Sequence, residues 1–234
     1  QWQLTPCFPL PGRCDVNSRA WNATGYGALL ALSLGVAVYA LVVYSLFPVG
    51  TMVHPDMRTG FEAQRATVYA HVFASVVALV LGPFQCSTQL RSNYPSLHRV
   101  SGRLYLGVGV LVGGLAGLTL SMHAHGGIVG RLGFAGLALA WLATGLSAYR
   151  AIRRRDIPAH RRWMVRNFAL TFAAVTLRLW LPGSVAAGVP FGLAYPVIAW
   201  LCWVPNMIVA ERVLQRTADP ASQTPDAAGV GLRR

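Results

Sequence analysis

Six stretches of roughly twenty residues each carry almost no charge, and this pattern constrains the fold more than any other feature of the chain. They cover residues 25–47, 66–84, 103–122, 129–149, 163–181 and 190–213. About twenty apolar residues in a helix span the ~30 Å hydrocarbon core of a bilayer, and a lipid-exposed backbone must satisfy its own hydrogen bonds. Only 12% of the 234 residues are charged, against about 25% in an ordinary soluble domain. The sequence therefore predicts an all-α, polytopic membrane helix bundle of six spans. Pro196 and Pro205, inside the sixth, predict kinks.

All twenty basic residues are arginine, and the formal net charge is +13. The arginines lie in short loops between apolar runs, which reads as a topology signal and an attraction to anionic headgroups, not as a nucleic-acid surface. Arg91, Arg99 and Arg103 flank the 2–3 loop, while Arg150, Arg153, Arg154, Arg155, Arg161, Arg162 and Arg166 crowd the 4–5 loop. Arg212, Arg216, Arg233 and Arg234 are at the carboxyl end, and the other loops hold only Arg58, Arg65 and Arg131. With six spans the rich regions share one side with the amino terminus. That side is expected to be cytoplasmic, in a bacterial cytoplasmic membrane.

The expected organisation is a cytoplasmic amino-terminal segment (residues 1–24), a membrane domain (25–214) and a disordered cytoplasmic tail (215–234) rich in Ala, Pro, Asp, Gly and Ser. The chain opens on Gln1, leaving room for an initiator methionine or a longer leader. The first apolar stretch has no small-residue cleavage site and reads as a span, not a signal peptide. Cys7, Cys14, Cys86 and Cys202 form no CxxC pair, so neither a zinc site nor a thioredoxin-like motif is indicated.

The interior of the spans is expected to hold no aspartate or glutamate, which argues against proton-coupled carriers and pumps. The ionisable groups well inside are His71 in the second span and Arg178 in the fifth. His54, His71, His123, His125 and Arg178 fall toward the outer face, and His98 and His160 toward the cytoplasmic mouths of the third and fifth spans. Two imidazoles from neighbouring helices are what the iron of a b-type haem needs. His71 with His123 or His125 would supply them, with Arg178 paired to a propionate. His98 and His160 are candidates for a second, interfacial haem. His98 and His123 are 25 residues apart, ~37 Å along a helix, so both cannot be buried in a ~30 Å core.

A copper or zinc site from His54, His71, His123 and His125 is an alternative. It needs an unwound helix end, because His123 and His125 would otherwise sit on different faces. Each residue also has a plainer reading: a histidine bonded to a carbonyl or facing lipid phosphate, and a snorkelling Arg178. Gly109, Gly113 and Gly117 at four-residue spacing point to close helix packing, or to the approach of a flat ligand. No nucleophile triad, P-loop or nucleotide fingerprint is present. A His-Arg pair introduces both the third and fifth spans (His98-Arg99 and His160-Arg161), a weak hint of duplication.

The runs Leu97-His98-Arg99-Val100-Ser101-Gly102-Arg103-Leu104-Tyr105, His160-Arg161-Arg162-Trp163-Met164-Val165-Arg166 and Leu177-Arg178-Leu179-Trp180-Leu181-Pro182 resemble the bacterial predicted membrane family known as domain of unknown function 2306. Gly82-Pro83-Phe84-Gln85 and Trp200-Leu201-Cys202-Trp203-Val204-Pro205-Asn206 fit it too. The resemblance covers about residues 66–212 and brings no established activity, but it sets His71, His98, His160 and Arg178 within its motif blocks. A looser, architectural likeness is to transmembrane cytochromes b of the ascorbate-reducible type. The resulting expectation is a haem-binding electron-transfer protein, with a quinone or redox protein as partner. The competing expectation is a non-catalytic membrane component: an assembly factor, or a small-solute or lipid-handling protein.

Overall fold

The computed structural model describes residues 23–218. The segment with Cys7 and Cys14, and the tail with Arg233 and Arg234, lie outside the described residues. Among the described residues every regular element is helical, and six helical stretches are long and apolar enough to cross a membrane. The first span is α1 (Ala23–Leu46). A short α2 (Pro55–Ala63) precedes the second, α3 (Arg65–Gln85), and α4 (Thr88–Asn93) follows it. The third joins α5 (Pro95–Leu104), a π-helical segment (Tyr105–Val112) and α6 (Gly113–Ser121). The fourth is α7 (Gly127–Arg153), the fifth α8 (Ile157–Thr171) with α9 (Ala173–Ala186), and the sixth α10 (Phe191–Leu201) with α11 (Val204–Ala218).

The third and fifth spans begin earlier than hydropathy suggests. Pro95 occupies the first helical position of α5, and Ile157-Pro158 opens α8, where Asp156 Oδ1 accepts from the Ala159 N–H at 2.9 Å. Proline loses nothing there, because the first N–H groups of a helix have no intrahelical partner. His98 and His160 therefore do not precede their helices; each stands at the fourth position of one.

The glycine stripe sets how the second and third spans meet. A methyl group at Gly109 would lie 2.7 Å from Ala78 Cβ, one at Gly113 3.2 Å from Ser75 Oγ, and one at Gly117 3.0 Å from the His71 ring. Residues 78, 75 and 71 of α3 thus run antiparallel along 109, 113 and 117. The stripe serves backbone-to-backbone packing, and its last member makes room for an imidazole.

The last two spans are broken near mid-membrane. The sixth breaks at Cys202–Trp203, ahead of Pro205, whose ring nitrogen has no proton for the preceding turn; Pro196 is accommodated inside α10 without a break. Carbonyls at such breaks need donors, since lipid offers none. Asn206 Nδ2 donates to Cys202 O at 3.0 Å and Ala169 O at 3.2 Å, and the Thr176 hydroxyl donates to Cys202 O as well. The two breaks are stitched to each other.

One acid does fall on a span. Glu211, in α11, takes two hydrogen bonds from Arg166, at 2.5 Å from Nε and 2.8 Å from Nη2, at the arginine-rich end of the bundle. The side chains remain 21% and 40% exposed. A double-mutant cycle on Arg166→Gln and Glu211→Gln is expected to give a coupling of only about 0.5–1 kcal/mol, because solvent screens such a pair. A coupling of several kcal/mol would place the pair in a dry environment.

Candidate functional site

At the arginine-poor end a cavity of about 960 Å³ opens among α1, α3, α6, α9 and α10, and reaches down to Trp141, Thr171 and Cys202. The volume is at the upper end of the range for small-molecule sites, and the walls are of the usual kind: mostly apolar, with a few polar groups. Val36, Val72, Leu79, Leu120, Phe134 and Leu177 supply apolar surface. His54, His71, Ser75, His123, His125 and Arg178 are also on the lining. The outer histidines and Arg178, spread over more than a hundred residues of sequence, therefore share one space.

His71 is the best-defined of them. Its Nδ1 lies 2.8 Å from the Gly113 carbonyl oxygen. A carbonyl only accepts, so Nδ1 carries the proton, and in the neutral ring Nε2 is left with its lone pair. One turn along α3, the Ser75 hydroxyl oxygen is buried without a hydrogen-bond partner.

Arg178 does not snorkel to the surface. Its Nη1 donates to Ala174 O at 2.9 Å, one turn deeper in α9, and its guanidinium carbon is 5.8 Å from the centre of the Tyr39 ring. Helical side chains lean toward the amino-terminal end of their helix, and in α9 that end is at mid-membrane. No carboxylate among the described residues pairs with it.

The remaining outer histidines have other engagements. His54 caps α2, accepting from Asp56 N–H at 3.4 Å, and stacks on Phe191 at 3.8 Å between ring centres. His125 packs against Phe191 and Tyr195 at 5.4 and 6.0 Å. His123 lies past the end of α6, with Nδ1 3.4 Å from Thr119 O. The end of α6 is unwound, as joint use of His123 and His125 required. Even so, no group of three or more His, Cys, Asp or Glu gathers around a point among the described residues. The four-histidine copper or zinc alternative is not assembled. The His71 ring rests on Gly117, and the His123 ring folds back onto Thr119 O, beyond it on the same span.

His98 and His160 do not line the cavity. They meet at the arginine-rich end, within electrostatic reach of each other, with Arg91 and Arg99 acting on His98. His160 Nδ1 donates to Ala148 O at 2.9 Å, while His98 Nδ1 is buried with no hydrogen-bond partner. Nearby, burial pushes the Cys86 thiol up to about 11 despite the opposing pull of Arg91. At neutral pH the side chain is held as the thiol.

Beneath the cavity is a buried network that pattern reading missed. The Tyr105 hydroxyl donates to Asn167 Oδ1 at 2.7 Å and contacts the Thr171 hydroxyl at 2.8 Å. Asn167 Nδ2 donates to Trp141 O and Thr144 Oγ1 at 2.8 and 2.9 Å, and Trp141 Nε1 donates to Thr171 Oγ1 at 2.9 Å. Three spans are pinned together, and Trp141 and Thr171 form the cavity floor. The π-helical segment begins at Tyr105; such segments recur at functional sites. An asparagine inside a span was the available signal.

A family described as Predicted membrane protein (DUF2306) matches residues 68–214. The chain belongs to this family. The match takes in His71, the network, the inner histidines and Arg178, and leaves α1 and α2 ahead of it. No curated protein and no solved structure matches the chain. This DUF2306 member is a multi-pass membrane protein whose helices imply a lipid environment.

Proposed function

We propose that the cavity of this DUF2306 protein holds an amphiphilic, acid-bearing molecule, and that this molecule is a b-type haem serving electron transfer. The hydrogen bond from His71 to the Gly113 carbonyl carries the reading. Metal-bound imidazoles commonly donate their second N–H to a carbonyl, which fixes the ring and leaves the other nitrogen as ligand. His71 has that arrangement, in an apolar cavity roomy enough for a macrocycle. Arg178, without a carboxylate of its own, fits a propionate, and the unpartnered Ser75 hydroxyl marks a spot where the protein alone leaves a polar group unsatisfied.

Bound haem supplies one-electron redox chemistry through its iron. In this reading His71 Nε2 would hold the iron, with His123, or His125 in its place, as the second imidazole from the turn after α6. Gly117 leaves room for the His71 ring. His98 and His160, flanked by Arg91 and Arg99, form a second, interfacial imidazole pair. A quinone or a redox protein is the electron partner. The arginine bias supports an orientation with both termini in the cytoplasm of a bacterial cell. Full-length protein purified after haem supplementation is expected to show a Soret band whose position shifts on reduction with dithionite. Colourless, folded protein would sink the proposal.

One observation favours a second reading. Leu32, Tyr39, Leu179 and Val185 line the cavity and are also exposed on the bundle's surface, so the cavity is continuous with the face that meets acyl chains. A lipid or other lipophilic solute would enter there directly, and a non-redox, lipid-handling role needs no second imidazole.

A further inference from the structure

A second, smaller concavity of about 220 Å³ lies at the opposite end of the molecule, between the last turns of α7 and the first turns of α8. Ser147, Arg150, Ala151 and Arg154 line it from one helix, Ala159 and Trp163 from the other, and Asp156 closes the turn. The chain reverses within a few residues here, with Arg155 at φ 60°. That left-handed conformation costs a side-chain-bearing residue of the order of 1 kcal/mol. The tight reversal sets the two helices side by side, so that Arg150, Arg154 and Trp163 border one concavity.

The charge on this pocket is net positive, with two arginines against one aspartate. Neither Arg150 nor Arg154 has a carboxylate within ion-pair distance among the described residues. The one acid on the lining, Asp156, spends Oδ1 as the amino-terminal cap of α8. The Ser147 hydroxyl donates back to Ala143 O at 2.8 Å, which leaves its oxygen lone pairs but no proton for a ligand. The recognition chemistry is therefore cationic: two guanidinium forks suited to the oxygens of a phosphate. Apolar side chains stand among the arginines of these turns. Tyr149, Ile152 and Ile157, on the same turns, are 50%, 38% and 41% exposed, and a tryptophan at a span edge belongs to the headgroup level of a bilayer. A free phosphate would use the arginines and ignore that apolar fringe.

We propose that this pocket binds the phosphate headgroup of an anionic phospholipid, with Arg150 and Arg154 on the phosphate, and Trp163 and the exposed isoleucines against glycerol and acyl chain. The site is independent of whatever occupies the cavity. Native mass spectrometry of the full chain, released from detergent after titration with phosphatidylglycerol, phosphatidylcholine or inorganic phosphate, tests it. Phosphatidylglycerol adducts are expected on the wild type, phosphatidylcholine adducts should be at least tenfold rarer, and inorganic phosphate should not displace the lipid. The double variant R150Q/R154Q should lose phosphatidylglycerol at least tenfold. Ser147→Phe keeps both charges and fills the pocket, so it should show the same loss. It also covers the case in which the double variant fails to fold. Retention by Ser147→Phe would show diffuse surface attraction and overturn the pocket, and displacement by inorganic phosphate would overturn the lipid as its ligand.

Discussion

Replacing His71 with alanine is expected to cut haem retained per protein at least tenfold, while changing the stability of the bundle by only about 1 kcal/mol. The second figure follows from what the ring does in the protein alone: one hydrogen bond, to Gly113 O at 2.8 Å, and side-chain hydrogen bonds inside membrane bundles average about 0.6 kcal/mol, at most near 2. The first follows from the His71 Nδ1–H being held by the Gly113 carbonyl at 2.8 Å, which leaves Nε2 with its lone pair on a cavity-lining residue. Absorbance at the Soret band per protein, read beside the thermal unfolding midpoint, separates the effects. Full haem loading in His71→Ala would remove His71 from the ligand set. Wild-type protein that is colourless but retains lipid in the cavity would instead favour the lipid-handling reading.

Gly109→Val is expected to damage the fold severely. A Cβ at this position meets Ala78 Cβ at 2.7 Å and the Ala78 Cα and N at 3.0 Å. Two of the three obstacles are backbone, which no rotamer change can move aside. Valine adds two methyl groups beyond that Cβ, so the second and third spans must separate and drag the stripe out of register. Overpacking costs typically 1–3 kcal/mol and occasionally more; with backbone in the way, about 3 kcal/mol or above is expected, visible as loss of the monodisperse peak in detergent. Gly107→Val is the control, because nothing lies within 4 Å of a Cβ there. Equal damage at both positions would mean that helix propensity, and not the contact with Ala78, decides the outcome.

The spans were legible because a hydrocarbon core imposes a length and an absence of charge that each apolar run has to meet. Their starts were not always legible. The first turns of α5 and α8, with His98-Arg99 and His160-Arg161, are polar and project into the headgroup region, where hydropathy carries no signal; Pro95 and Pro158 were the better markers. The kink expected from Pro205 became a break at Cys202–Trp203. The break at Phe172 had no proline to announce it and is recognisable only from the donors, Asn206 and Thr176, that serve the two broken spans. The π-helical turns from Tyr105 have the same apolar pattern as an α-helix.

Of the candidate site, the residue types and their depth were readable. An imidazole and a guanidinium inside apolar runs stand out against a background of aliphatic side chains. That His71 donates to Gly113, that Arg178 leans inward over Tyr39, and that His54 and His125 are taken up by Phe191 depend on contacts between separate spans. So does the Tyr105–Asn167–Thr171 network, whose first hydrogen bond joins residues 62 apart. Sequence by itself determined that the chain crosses a membrane with helices and which polar groups it carries inside, because transfer to hydrocarbon is a property of each segment alone. Tertiary structure alone decided which of those groups share a cavity and which nitrogen of an imidazole is left free, because lipid solvates every span alike and only packing between spans gives a side chain its neighbours.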